Sequence, residues 1–387
     1  MNLKSPSGKG LTVNLRNARA CLLLRCAARA LALNLGSAAW AADAKPSGRV
    51  PLIYSSDLLH PHDDPDDHFD LVTLFCLPEL DVKAILLDLG ASQEKRSGRV
   101  PVEQMLKLTG RKIPYASGLT EKLKSPSDAG RGQPARAQGA VDLLLKVLRE
   151  SPQSVTYIGT GSTRDLVAAL NREPELLKKK LARVYVSIGN AQDGGSEWNV
   201  DLDPQAYVGL MRSGLPICWL PCMPMERANT NSLFATYWKF RQDQVLETAP
   251  QPIQNFFIYA LQTVGPDELD PLKALHADLR PWRHLVWKME RNMWSTPALL
   301  HAAGRLTHRR GKTWAATAAP PAGSETVETF TFVPARVTVN DSAKTTKHLS
   351  ALDSNLQIIR ISAPEFYADA MRESLANLFR EFPLSKR

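Results

Sequence analysis

Short apolar runs alternate with amphipathic stretches from Val50 to about Cys222. Val50–Ser56, Val82–Leu87, Ile113–Ala116, Val155–Gly159, Val184–Ile188 and Pro216–Leu220 read as strands. Between them, Asp67–Leu77, Val102–Thr109, Ala140–Arg149, Thr163–Asn171 and Asp203–Arg212 carry helical periodicity. Gly110 and Gly214 stand where two of these helices should stop, and Asp203 before Pro204 is a good N-cap pair. This alternation predicts an α/β fold with a mostly parallel central sheet and helices on both faces. From Met225 to about His308 the pattern turns helical and aromatic, as in a cap over one end of a sheet. Gly311–Glu328 reads as loop, Thr329–Val339 and Leu356–Ser362 as strands, and Pro364–Phe382 as a closing helix. Residues 45–387 are thus expected to form a single domain, with the 225–308 cap inside it.

Charge at first suggests a polyanion partner. The 387 residues carry 48 Lys and Arg against 39 Asp and Glu, a net charge of +9. Six of those nine charges fall within residues 1–41, which hold no acid, so the rest of the chain is close to balance. Nucleic acid is therefore not the expected partner. A hydrophobic content of 44% excludes a disordered chain, and the lack of a long apolar run excludes a polytopic membrane protein. The first 44 residues have a basic start, an Ala/Leu-rich core and a small-x-small end at Ala39-Trp40-Ala41. They predict a signal peptide, although Arg25 and Arg29 interrupt its core, and hence a periplasmic or secreted protein with no stable membrane anchor after cleavage. A cytoplasmic location is the alternative. Outside the leader, Cys76, Cys218 and Cys222 are too few and too irregularly spaced for a disulfide framework or a zinc site.

In a parallel α/β sheet, ligands bind beyond the carboxyl ends of the strands. The first strand leads there into the most concentrated charge in the sequence. From Asp57 to Asp70, six Asp and three His fall within fourteen residues. Such crowding is tolerated when the side chains are solvated or when a cation sits among them. Ca2+ and Mg2+ prefer carboxylate and carbonyl oxygens, whereas His60, His62 and His68 would suit a transition metal. Asp66 and Asp67 also suit a helix N-terminus. A second polar cluster, Gly194-Gly195-Ser196-Glu197-Trp198-Asn199, follows Gly189-Asn190. If extended, it would point Glu197 and Asn199 the same way, a pairing that can grip sugar hydroxyls.

Together these pieces resemble the nucleoside hydrolase family of the inosine-uridine-preferring type. Ser55-Ser56-Asp57 followed by Asp66-Asp67 is similar to its D-x-D-P-G-x-D-D opening with a longer loop. Pro78-Glu79-Leu80-Asp81-Val82, Thr160-Gly161-Ser162-Thr163-Arg164-Asp165 and Glu197-Trp198-Asn199 with Asp203-Pro204-Gln205-Ala206 match further family motifs in order. The resemblance covers about Val50–Cys222 and thins toward the C-terminus.

The resemblance implies a Ca2+ ion ligated by Asp57, Asp67 and the Thr160 carbonyl, with an acidified water on it. Asp57 would act as general base, and Asp66, Glu197 and Asn199 would hold ribose hydroxyls near Asn190. The family's C-terminal H-D-P-x-A motif is best matched by Trp294-Ser295-Thr296-Pro297-Ala298. That alignment puts Ser295 at a metal ligand and Trp294 at the leaving-group residue, where its ring would stack on a base. The implied activity is Ca2+-dependent hydrolysis of the N-glycosidic bond of a ribonucleoside or related N-riboside. Two other readings stay open: a non-catalytic nucleoside- or sugar-binding protein, and a metal-dependent hydrolase of another glycoside or ester. The expected partner is a small nucleoside or riboside, and self-association is left open.

Overall fold

The apolar runs assemble as one nine-stranded sheet in the computed structural model, which describes residues 48–61, 65–88, 90–192, 197–226, 230–261, 269–350 and 352–385. The expected leader, His62, Asp63, Asp64 and Gly194–Ser196 lie outside the described residues.

In chain order the elements that matter are β1 (Val50–Ser56), α1 (Asp66–Cys76), β2 (Leu80–Leu87), α2 (Arg99–Thr109), β3 (Tyr115–Ser117), α3 (Gly139–Glu150) and β4 (Val155–Gly159). There follow α4 (Arg164–Arg172), α5 (Pro174–Lys180), β5 (Leu181–Ser187), α6 (Trp198–Leu202), α7 (Pro204–Met211) and β6 (Ile217–Leu220). The C-terminal part contains β7 (Trp238–Arg241), α8 (Gln251–Ala260), β8 (Glu290–Met293), α9 (Thr296–Ala302), β9 (Leu306–Arg310), β10 (Thr313–Thr317) and β11 (Glu325–Thr326). It closes with β12 (Phe330–Val339), β13 (Thr345–Leu349), β14 (Leu356–Ile361) and α10 (Pro364–Arg380).

The sheet order is β13-β12-β14-β6-β5-β4-β1-β2-β3. The seven strands from β14 to β3 are parallel, and β12 and β13 extend one edge antiparallel. The chain winds outward from β1 to β3 and then returns to place β4 on the other side of β1. That reversal makes a topological switch point between β1 and β4, where a crevice opens at the strand ends. Alternation along β1 sends Leu52 and Tyr54 into one core cluster and Ile53 into the other, as a strand covered on both faces requires. Gly110, in the left-handed conformation at φ 67°, ends α2 where the sequence expects a stop. Among the described residues, no helix is long and apolar enough to cross a membrane.

Two segments differ from expectation. The 225–308 stretch is not wholly helical, because β7 and β8 pair antiparallel within it. Trp238-Lys239-Phe240-Arg241 alternates buried and exposed side chains, so its aromatics mark a strand rather than a helical face. The stretch read as loop from Gly311 contains β10, which folds back on β9 with Trp314 buried.

A buried polar network braces the switch point from one side. Arg164, the first residue of α4, donates from Nε to Asp203 Oδ2 at 2.8 Å. Its Nη1 and Nη2 reach the carbonyls of Leu119 and Leu202, each at 2.9 Å. Asp203 also caps α7 through the Ala206 N–H at 3.0 Å and accepts the Leu123 N–H at 2.8 Å. One ion pair thus joins three chain segments away from water. Removing the cation strands a buried carboxylate, so Arg164→Ala is expected to cost about 3–5 kcal/mol of unfolding free energy, measured by urea denaturation. A loss under about 1 kcal/mol, typical of a surface pair, would contradict this role.

Asp165 is the next residue. Burial, and then the Asp88 carboxylate, push it up to about 8, against the hydrogen bond from the Leu119 N–H. The folded state therefore holds a proton that the unfolded chain releases near pH 4. This contribution to stability is complete below the ordinary Asp range and is lost as pH rises toward about 8. Asp88, raised to about 6, acts in the same direction. Asp165→Asn should accordingly gain stability over the parent chain as pH rises from 5 to 8. Denaturation curves showing a pH-independent difference would contradict this.

Candidate active site

At the switch point the end of β1, Ser55-Ser56-Asp57, lies beside the end of β4, Gly159-Thr160-Gly161. The Thr160 N–H donates to the Ser55 carbonyl at 2.9 Å. The first turn of α1 brings Asp66 and Asp67 to the same place. Asp67 is held there by two hydroxyls from the strand ends: Ser56 Oγ donates to its Oδ1 at 2.6 Å and Thr160 Oγ1 at 2.9 Å. Asp57 and Asp67 are both buried, and their carboxyl groups are in hydrogen-bond contact. Gly161 allows this approach. A Cβ there would lie 3.1 Å from the Asp57 nitrogen and 3.2 Å from both Asp57 Cβ and Asp88 Oδ2. Two residues on, Thr163 sits in the left-handed region at φ 59°, a strained conformation for a β-branched residue.

Electrostatically the crevice is overloaded with like charge. Burial, then the charges of Asp67 and Asp66, hold Asp57 well above the ordinary carboxylate range. Asp66 is raised by burial, then by Asp67 and Asp70. Asp70 is raised by burial and by Asp67, with the Ser295 hydroxyl pulling the other way. The groups acting most strongly on each carboxylate are other carboxylates. Two such groups in contact share a proton or are bridged by a cation.

The opposite rim is built by α6. Glu197 is its N-cap, so Glu197 and Asn199 flank Trp198 on a helix start and not on an extended segment. Glu197 Oε1 accepts the Asn199 N–H at 3.0 Å, and Oε2 accepts the N–H groups of Gly189 at 2.7 Å and Val200 at 3.2 Å. Asn199 Nδ2 donates to the carbonyls of Ser187 at 2.8 Å and Thr160 at 3.1 Å. Both residues therefore shape the loops that carry Thr160 and Gly189. Asn190 follows at the end of β5, half-buried, with its Oδ1 on the Gln192 N–H at 2.8 Å. Trp198 is 67% exposed and directs its indole N–H toward Asp57 Oδ2 at 3.4 Å.

The C-terminal half closes the site. Ser295 immediately precedes α9, is buried, and touches Asp70. Trp294 donates its indole N–H to the Cys222 carbonyl at 2.9 Å and packs against Tyr237. The Cys222 thiol in turn contacts Glu197, with the charges of Asp66 and Asp57 nearby. By contrast, His60 stacks on Tyr259 with ring centroids 5.0 Å apart, and His68 lies 5.5 Å from Phe256. Both imidazoles thus pack on aromatic rings. The Cys76, Cys218 and Cys222 thiols are buried.

Asp57, Asp67, Thr160 and Asp66 are thus brought together, with Ser295 joined to them through Asp70. Sequence reasoning passed over Ser56, Asp70, Cys222 and Trp198. Only Asp70 carried a readable signal, since it lies three and four residues after Asp67 and Asp66 on one helix.

Comparison with known proteins identifies the family. The family described as inosine-uridine preferring nucleoside hydrolase matches residues 61–368. A pyrimidine-specific ribonucleoside hydrolase, RihA, of Citrobacter koseri is 33% identical over 190 residues, which are 43% of this chain and 58% of that protein. RihA of an Enterobacter species is 28% identical over 230 residues, 54% of this chain and 72% of the relative. The chain therefore matches little more than half the length of the first of these relatives. Among solved structures, a purine-preferring ribonucleoside hydrolase from Gardnerella vaginalis superposes with a TM-score of 0.48 at 17% identity, covering 86% of this chain and 99% of the other. With the family match spanning most of its length, the chain belongs to the inosine-uridine preferring nucleoside hydrolase family.

Proposed function

We propose that the protein hydrolyses the N-glycosidic bond of ribonucleosides or related N-ribosides, using a Ca2+ ion held at the switch point. The observation that carries this reading is the contact between the buried carboxyls of Asp57 and Asp67, among further carboxylates and at the place where this fold binds ligands.

The donor chemistry fits a hard divalent cation. Asp57 and Asp67 offer carboxylate oxygens. The Thr160 carbonyl accepts one N–H from Asn199 and retains a second lone pair. Ser295 adds a hydroxyl on the far side, next to Asp70. Among the described residues no three Asp, Glu, His or Cys side chains form a complete ion cage, so main-chain and hydroxyl oxygens are needed to finish the set. An all-oxygen set of this kind favours Ca2+ over a transition metal. When bound, such a cation supplies positive charge that acidifies a coordinated water.

The chain's own residues supply the rest. Asp57 takes the proton of the attacking water, and the Trp198 indole N–H fixes Oδ2 of that carboxylate in place. Asp66, half-buried at the start of α1, accepts ribose hydroxyls. Glu197 and Asn199 hold the Gly189 and Thr160 main chain and present their remaining acceptor capacity to the sugar. The carboxylates around the crevice favour the oxocarbenium-like charge that develops as the base departs. Trp294, half-buried beside Tyr237, offers a ring for the base to stack on.

A second reading, binding without chemistry, draws support from Trp294 and from Ser295, since neither side chain is an acid at neutral pH. Ribose release by the metal-stripped protein, with and without added Ca2+, separates the two across a ribonucleoside panel. Hydrolysis is expected to need Ca2+, and Asp57→Asn to lower kcat by at least about 100-fold with KM little changed. Saturable nucleoside binding with no ribose released under any condition would leave only the second reading.

A further inference from the structure

Asp70 has no part in the roles above, yet it is a carboxyl buried within the helix beside the site. It is 2% exposed and sits on α1 between Phe69 and Leu71, where every neighbour on the helix from Phe69 to Cys76 is buried. Among the described residues its Oδ1 has no hydrogen-bond partner. The charged group acting on it most strongly is Asp67, of the same sign. An apolar residue would serve the core better, because a buried carboxylate with an unmatched oxygen and like-charged company opposes folding. Among the described residues, the group that favours its ionised form is the Ser295 hydroxyl, delivered from the start of α9.

We propose that Asp70 is a positioning residue of the cation site. By accepting the Ser295 hydrogen, it leaves the lone pairs of Ser295 Oγ for the cation. It also adds a further acidic group, one helical turn behind Asp66 and Asp67, to a site whose direct carboxylate ligands among the described residues are Asp57 and Asp67. Helical spacing puts Asp70 on the same side of α1 as those two carboxylates. The Asp70–Ser295 contact is then the link by which the C-terminal half of the chain enters the site. This inference rests on the cation reading proposed above.

The test is Ca2+ titration of the chelator-stripped full chain, followed by calorimetry and by thermal unfolding with and without Ca2+. The parent chain should bind Ca2+. Asp70→Asn, which keeps the shape and an acceptor for Ser295, should weaken binding at least about 10-fold, as removal of partners behind metal ligands typically does. Its metal-free unfolding temperature should stay level or rise, because a like-charge repulsion has been removed, whereas a purely structural role would lower it. Ser295→Ala should also weaken Ca2+ binding, but should add little on top of Asp70→Asn, since the two act as one unit. Ca2+ binding within twofold of the parent in Asp70→Asn overturns this inference alone. Should that variant not fold, unchanged affinity in Ser295→Ala overturns it equally. No Ca2+ binding by the parent chain overturns both this inference and the cation reading.

Discussion

The contact between the Asp57 and Asp67 carboxyls is the constraint around which the rest of the site is arranged. Two buried carboxylates repel unless something positive lies between them, so every neighbouring feature serves to hold them where they would not otherwise stay. Ser56 and Thr160 clamp Asp67 with hydroxyl donors from two adjacent strands. Gly161 leaves room for the main chain of Asp57. The Arg164–Asp203 pair ties the strained turn after Thr160 to the loops beneath α7. A fold that only needed to be stable would place apolar side chains here. The concentration of unfavourable terms in one crevice is the physical signature of function.

That crevice is also where the two halves of the chain meet. The N-terminal half supplies the strand ends and the acidic helix start. The C-terminal half adds Ser295 at Asp70 and Trp294 on the Cys222 carbonyl. Cys222 occupies the junction: its thiol touches Glu197, its N–H donates to the Gly189 carbonyl, and its own carbonyl holds the Trp294 indole. Glu197 closes the loop with a hydrogen bond from the Gly189 N–H. The α6 rim and the Trp294 side of the crevice therefore share one set of main-chain contacts.

Much of this was legible before any coordinates. The bounds of β1 and β4 follow from apolar runs flanked by polar and glycine residues, and the strand-end rule then singles out Asp57 and Thr160. Asp67 follows from the family resemblance, since a helix start by itself asks only for an acidic cap. What was not legible depends on contacts between residues distant in sequence. No local pattern pairs Ser56 with Asp67 or Asp70 with Ser295. Glu197 is not among the residue types that usually cap helices, so the sequence does not announce the helix at Trp198. The β7–β8 ribbon was hidden because its alternation is only four residues long and lies in an aromatic-rich stretch. The net charge of +9, the first thing the composition offers, says nothing of this site, whose own charge is negative.

Burial, and then neighbouring negative charge, holds the Asp57 and Asp66 carboxyls above their ordinary range, so a cation bound in the crevice would displace protons that exposed carboxylates would already have lost. Calorimetric Ca2+ titration near pH 6 in buffers of different ionisation enthalpy counts those protons directly. The account predicts release of about one proton per Ca2+ bound, vanishing as the pH is raised. Ca2+ binding with no proton release at any pH, or no Ca2+ binding at all, would contradict it.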